Sequence, residues 1–163
     1  MRLAVVALLT VACVLSGCSD EPSDQQRLNS VMVGSAEVLS DADSETVSAI
    51  GLELVALAVP LREWFDGTAP RATLLERMER AVDRIEGRLT PDRAPEVIAT
   101  FEPYVNAWRR ILAALEQDDM EEYEAAVARI RELDDRRIQR VVEAFGEDAA
   151  RELLESEGVD PNR

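Results

Sequence analysis

The sequence has no histidine and no lysine, and it contains only two cysteines. Without histidine the chain cannot form a Ser-His-Asp or Cys-His catalytic pair, a histidine-ligated zinc or haem site, or the Glu-x-x-His sites of di-iron helical bundles. These absences exclude most enzyme classes. Carboxylate chemistry and the binding of hard cations by oxygen ligands stay open, because the chain has 33 acidic residues.

Aromatic residues are also scarce, at 4% of the chain. Enzymes that act through paired carboxylates, such as glycosidases, usually hold their substrates in a wide cleft lined by aromatic side chains. So small an aromatic set does not favour such a cleft. We therefore expect no catalysis and predict no catalytic residue, metal or cofactor.

Basic residues are outnumbered, 18 against 33, and the net charge is −15. A surface this acidic repels nucleic acids and anionic lipid headgroups. We therefore expect no nucleic-acid partner and no attachment to a membrane through charge.

The amino-terminal segment has the pattern of an export signal. Arg2 is followed by an apolar run from Leu3 to Leu15 and by the small residues Ser16 and Gly17. As a helix the apolar run would be about 20 Å long, which is shorter than the roughly 30 Å hydrocarbon core of a bilayer. It is therefore predicted to be a cleaved signal peptide and not a stable membrane span.

The end of this segment, Leu15-Ser16-Gly17-Cys18, resembles the lipobox of bacterial lipoproteins. The resemblance covers residues 1–18 only. It implies a diacylglycerol thioether on Cys18, cleavage before Cys18, and in many bacteria acylation of the new amino terminus, commonly by palmitate. Two or three acyl chains hold a protein firmly to a membrane. Ser19 replaces the aspartate of inner-membrane retention signals, which implies the outer membrane in a host with two membranes.

The predicted organisation is a signal peptide over residues 1–17, a lipidated tether over 18–24 and one helical domain over 25–163, on the extracytoplasmic face of the cell membrane or outer membrane. Cys13 leaves with the signal and Cys18 carries lipid. The mature domain then has no cysteine for a disulfide, a zinc site or a thiol nucleophile.

Apolar residues recur at helical spacing throughout this domain, and no segment alternates with the two-residue period of a strand. Turn and capping residues divide the pattern into helices. The first covers about 25–39, and the second follows cap residues at 41–44 and carries an apolar stripe as far as Trp64. The third runs to about 89, the fourth to about 117, the fifth to about 145, and a short last helix covers about 148–156. The pattern predicts an all-α bundle of four main helices plus extra short ones.

The second helix is the most apolar of them. From Ile50 to Leu61 it carries one charge, Glu53. A helix that is apolar nearly all round is typical of a bundle centre, and we expect it there. Pro60 is expected to kink or end it, and Pro103 to bend or break the fourth helix.

Two carboxylates stand among apolar neighbours. Asp134 falls near the middle of the apolar stripe of the fifth helix, and Glu53 is alone in the second. Asp134 either pairs with an arginine, such as Arg137 one turn on, or lines a wet cavity. Pairing would lower its pKa, whereas a cavity would raise it. If Glu53 and Asp134 converge, they would form a site for a cation or a polar ligand.

The fourth helix places Phe101, Tyr104 and Trp108 on one stripe. Such a stripe is either part of the core or the wall of a pocket opened by the proline bends. With Glu53 and Asp134, these three residues are our candidate ligand-binding residues.

Arginines also follow helical spacing. Arg77, Arg80, Arg84 and Arg88 fall within about 80° of arc on the third helix. In so acidic a chain they are expected to pair with carboxylates of neighbouring helices, the alternative being a surface for an anionic partner.

These observations predict a lipid-anchored protein of the cell envelope that acts as a helical interaction module. Its helix faces or charged stripes would bind another envelope protein, which requires none of the chemistry that the composition excludes. The alternative is a receptor for a small ligand or a cation, with an aromatic-lined pocket and buried carboxylates.

Overall fold

The computed structural model describes residues 21–156, and Cys18 and the predicted signal peptide lie outside them. In this part of the chain all regular structure is helical, which confirms the predicted all-α class. There are six helices: α1 (Asp24–Val33), α2 (Asp41–Phe65), α3 (Arg71–Glu86), α4 (Pro95–Gln117), α5 (Met120–Phe145) and α6 (Glu147–Ser156).

Helix α1 is shorter than predicted. It begins with a capping box, in which the Ser23 hydroxyl accepts from the Gln26 backbone and the Gln26 side chain accepts from the Ser23 backbone. It ends at Gly34, whose left-handed φ of 73° turns the chain away. Two backbone hydrogen bonds close this end of the helix. The Gly34 N–H donates to the Val31 carbonyl, and the Ser35 N–H donates to the Ser30 carbonyl. The prediction that this helix reaches Leu39 is therefore wrong.

Helix α4, and not α2, occupies the middle of the bundle. It packs on α3, α5 and α1, whereas α2 packs on α3 and α1. The prediction that the most apolar helix lies at the centre is wrong. One side of α2 is buried through Ile50 and Leu57, while Leu52 and Val59 on another side remain exposed.

Neither proline interrupts its helix. Helix α2 continues through Pro60 to Phe65, and α4 continues through Pro103 to Gln117. The alternatives in which these prolines end or break their helices are wrong. A proline removes one backbone donor, and the burial of flanking apolar residues, as with Leu57 and Leu61 around Pro60, holds the helix together across it.

Within residues 21–156, α2 is the helix that is long and apolar enough to cross a membrane by length and composition. In its most apolar window, 44% is buried inside the bundle. Such a window is also found in core helices of bundles, so length and composition alone do not assign α2 to a bilayer.

Candidate functional site

Asp134 lies in a polar cluster between α4 and α5. The Tyr104 hydroxyl donates to Asp134 Oδ1 at 2.8 Å, and Arg137 Nη1 lies 3.8 Å from the same oxygen. Arg137 is on the next turn of α5 and only 4% exposed. The carboxylate predicted to need a partner therefore has two, a guanidinium and a phenol.

Apolar groups surround the Arg137 guanidinium on its other sides. Its central carbon lies 5.5 Å from the Phe101 ring centroid and 5.6 Å from that of Tyr104, which are cation–π distances. Nη2 donates to the Met32 sulfur at 3.5 Å, and Nε is buried without a hydrogen-bond partner among the described residues. Arg137 thus fills the space beside the aromatic stripe and joins α1, α4 and α5.

Burial dominates the titration of this cluster. It raises the pKa of Asp134 above its ordinary value, although the Arg137 charge and the Tyr104 hydrogen bond act in the lowering direction. The expectation that a paired Asp134 has a lowered pKa is wrong. Desolvation of the carboxylate raises its pKa by more than the charge of a guanidinium 3.8 Å away lowers it. Burial also raises the pKa of Tyr104, which therefore stays protonated and donates.

The aromatic stripe is part of the core. Phe101, Tyr104 and Trp108 are all buried, and the rings of the first two are tilted with centroids 6.1 Å apart. Trp108 Nε1 is buried without a hydrogen-bond partner among the described residues. The three side chains are closed off from solvent, and the guanidinium of Arg137 packs on two of them.

Glu53 belongs to a different interface. Arg84 of α3 holds it with two parallel hydrogen bonds, Nε to Oε1 and Nη2 to Oε2, each 2.8 Å long. This fork geometry is the strongest that an arginine makes with a carboxylate. Because Glu53 is bound between α2 and α3 and Asp134 between α4 and α5, the structure does not bring the two candidate carboxylates together.

Two of the four arginines in the row on α3 pair with carboxylates of a neighbouring helix, as expected. Arg77 and Arg84 bind Glu63 and Glu53 of α2, while Arg80 binds within α3. The row therefore runs along the border between α2 and α3.

Sequence reasoning missed how α1 is held at its carboxyl end. Arg140 of α5 donates to the Met32 carbonyl at 2.9 Å, and Thr100 of α4 donates to the Val33 carbonyl at 3.2 Å. These donors satisfy carbonyls that a helix end leaves open. A hint was available, since Arg137 and Arg140 are three residues apart and so share a face of α5.

Asn29 was missed as well, and it is fully buried. Its amide donates to the Ser44 carbonyl at 2.9 Å, to the Ser44 hydroxyl at 2.8 Å and to the Ser48 hydroxyl at 3.0 Å. A polar residue beside Leu28 on an apolar face was the available signal. The network fixes α1 against the first turns of α2.

Two surface features bear on binding: groups of side chains that could hold a metal ion, and exposed apolar side chains. Within the described residues, no group of three or more acidic or cysteine side chains is placed to hold a metal ion. Among the side chains that the structure describes, five large apolar ones are exposed: Val38, Leu52, Val59, Phe65 and Met120. The first four belong to α2 or to the loop before it.

The chain matches no protein-family model, no curated protein and no solved structure.

Proposed function

We propose that this is a lipid-anchored protein of the cell envelope that acts by binding another envelope protein through its outer helix surfaces. The anchor would be Cys18, at the end of the lipobox-like segment Leu15-Ser16-Gly17-Cys18. The observation that supports the binding role is that the protein's own side chains occupy the interior of the bundle. The candidate aromatic and polar residues of α4 and α5 pack on one another, so recognition falls to the exterior.

The exterior of the α4–α5 hairpin is the surface best suited to a protein partner. Arg110 of α4 binds Glu122 of α5, and Glu132 accepts from Arg129 on the turn before it and from Arg136 on the turn after it. All of these pairs are solvent-accessible. Charges arranged in this way add little to stability, but they set the orientation and specificity of an encounter.

The anchor is tested with Cys18→Ala in the full chain. Wild type should partition into the detergent-rich phase after phase separation of a nonionic detergent, and metabolic labelling should place fatty acid on it. The variant should lose both properties and stay folded. Wild-type protein without lipid would overturn the anchor.

The binding surface is tested with a photoreactive amino acid placed in the full chain in its own cells. Gln139 on the outside of α5 is the test position, and Glu79 on the outside of α3 is a matched exposed control. A discrete crosslinked adduct from position 139, absent at 79, supports the proposal. Adducts equal at both positions, or at neither, oppose it.

The receptor alternative predicts a different result. A cation or small ligand that binds inside the bundle should raise the melting temperature in proportion to the logarithm of its concentration above the dissociation constant. Titration with calcium and with chelator tests the cation form of this alternative. A saturable rise with calcium that chelator reverses would favour the receptor over the interaction module.

A further inference from the structure

Exposed apolar side chains are concentrated along one segment of the molecule. Between residues 21 and 151, whose side chains are described, five large apolar residues are exposed; four of them lie between residues 38 and 65, and Met120 is the fifth. Isolated apolar residues on a surface are ordinary, whereas a concentration on one element points to a contact.

Part of this group forms a continuous stripe on α2. Leu52 and Val59 are seven residues apart, which places them on the same side of the helix two turns from each other. Val55 and Ala56 fill the turn between them and are partly or fully exposed. We call Leu52, Val55, Ala56 and Val59 the α2 stripe. The one charge between residues 46 and 61, Glu53, is bound by Arg84.

The chain enters the bundle beside α2. Ser23 caps α1, and Gln26 in its first turn donates to Asp41 Oδ1 at 2.6 Å at the start of α2. The five residues from Cys18 to Pro22 can span at most about 17 Å even when fully extended. An acyl anchor on Cys18 therefore keeps α2 within reach of the bilayer surface.

We propose that the α2 stripe is the face on which the anchored domain rests on the lipid bilayer. This inference depends on the proposed lipid anchor at Cys18. The stripe lies on the outer surface of a single helix and forms no groove in which a partner helix could lie. Such a surface is better suited to shallow insertion between lipid headgroups.

The local charge distribution favours this orientation. Although the whole chain is acidic, the stripe is uncharged, and the carboxylates of Glu53 and Glu63 on α2 are paired with Arg84 and Arg77 of α3. In this orientation the α4–α5 hairpin, which packs away from α2 on the far side of α3 and α1, points outward to a protein partner.

A stripe of four side chains would bind a membrane weakly by itself. Lipidation removes that limit, because a short tether makes docking an intramolecular step with a high effective concentration. The acidic surface and the docking face are then compatible. The acyl chains supply attachment, and the stripe fixes how the domain sits.

The test uses single cysteines in the lipidated full-length protein, processed in a bacterial host. Cys13 leaves with the signal and Cys18 is a thioether, so one new thiol can be labelled. Val59→Cys is the test and Met120→Cys the control, because both native side chains are 47% exposed. An environment-sensitive fluorophore is attached to each, and the proteins are reconstituted in phosphatidylcholine vesicles.

We expect the label at position 59 to shift to the blue and brighten several-fold in vesicles, and to be quenched by nitroxides on the acyl chains. The label at position 120 should keep its aqueous spectrum. Adding Leu52→Glu to the Val59→Cys protein should return its label to the aqueous spectrum, while the protein still floats with the vesicles.

Each outcome has a separate meaning. Failure of the wild-type protein to float with vesicles overturns the lipid anchor and the docking together. Flotation with an aqueous label at position 59 overturns the docking alone. A blue shift at position 59 that grows with protein concentration in a vesicle-free Cys13→Ala, Cys18→Ala, Val59→Cys protein shows that a second copy covers the stripe, and this also overturns bilayer docking.

Discussion

Arg137 shows how one residue can hold an interior together at an electrostatic cost. Its guanidinium packs against two aromatic rings and lies beside a methionine sulfur, with Asp134 as its acidic neighbour at 3.8 Å. A buried ion pair with loose geometry regains little of the hydration that its charges lose. The raised pKa of Asp134 is the sign of this imbalance.

Replacement of Asp134 separates its charge from its hydrogen bond. Asp134→Asn retains an oxygen that accepts from Tyr104, whereas Asp134→Ala leaves a buried hydroxyl without an acceptor. We expect the alanine variant to be less stable than the asparagine variant by about 1–2 kcal/mol. Urea denaturation at neutral pH measures the difference, with Glu124→Ala on the exposed side of α5 as a control. Equal stability of the two variants would contradict the role of the Tyr104 hydrogen bond.

Acid should favour wild type over Asp134→Asn. Because the folded pKa of Asp134 is raised, the native state takes up the proton more readily than the unfolded chain, whose pKa is about 3.9. The stabilising contribution of the protonated Asp134 is fully present when the pH is below the unfolded pKa, and it is lost as the pH rises through the folded pKa. The free energy of unfolding of wild type minus that of Asp134→Asn should therefore increase as pH is lowered from 7 to 4. A decrease would show that the Arg137 charge outweighs burial.

At the scale of elements, Gly34 is the residue that decides where α1 stops. Its φ of 73° is unfavourable for residues with a side chain, and a Cβ there would lie 3.3 Å from Arg140 Cζ. Gly67 has a similar φ of 69° with nothing within 4 Å of its Cβ position. The two positions therefore separate backbone strain from crowding.

Gly34→Ala should cost more stability than Gly67→Ala. Both variants lose roughly 1–2 kcal/mol to the left-handed backbone. Gly34→Ala must also displace Arg140, which weakens the hydrogen bond to the Met32 carbonyl. Urea denaturation of both variants provides the comparison. Equal losses would mean that the Arg140 contact contributes nothing measurable to the docking of α1.

Helical periodicity was sufficient to predict the all-α class and most helix limits, because apolar spacing and capping residues act locally. It extended the first helix too far, since Val38 and Leu39 continue the apolar pattern beyond Gly34. It also could not tell that one side of α2 faces solvent. An apolar side chain is the same residue in a core and in an exposed stripe, so the sequence does not distinguish them.

The candidate site was predicted in part for a related reason. Asp134 was detectable because a carboxylate among apolar neighbours requires a partner. The burial of Arg137 was not, since arginine is normally exposed and its packing against Phe101 and Tyr104 depends on how α4 and α5 meet. The separation of Glu53 from Asp134 likewise follows from helix order and not from local pattern.

At the scale of the whole molecule, the bundle depends on packing. Residues 19–163 should unfold in one cooperative transition, followed by circular dichroism, because the six helices share one core. Reductant should leave the midpoint unchanged, since this segment contains no cysteine. Chelator should leave it unchanged if the carboxylates act as caps and ion pairs. A fall in the midpoint with chelator would instead support the cation receptor.

The docking of α1 also sets the reach of an anchored molecule. With α1 packed on the bundle, the tether from Cys18 to Ser23 is at most roughly 20 Å long. With α1 detached, the tether would run from Cys18 to Ser40 and could reach a length of roughly 75 Å. In the proposed lipid-anchored form, a load on the lipid would act first on α1, which is held by Asn29 at one side and by Arg140 and Thr100 at its end. Pulling on Cys18 in a single-molecule experiment should therefore lengthen the chain by roughly 55 Å before the remaining bundle unfolds. If the protein is anchored as proposed, the bonds around one short helix would thus determine how far from the membrane it can reach.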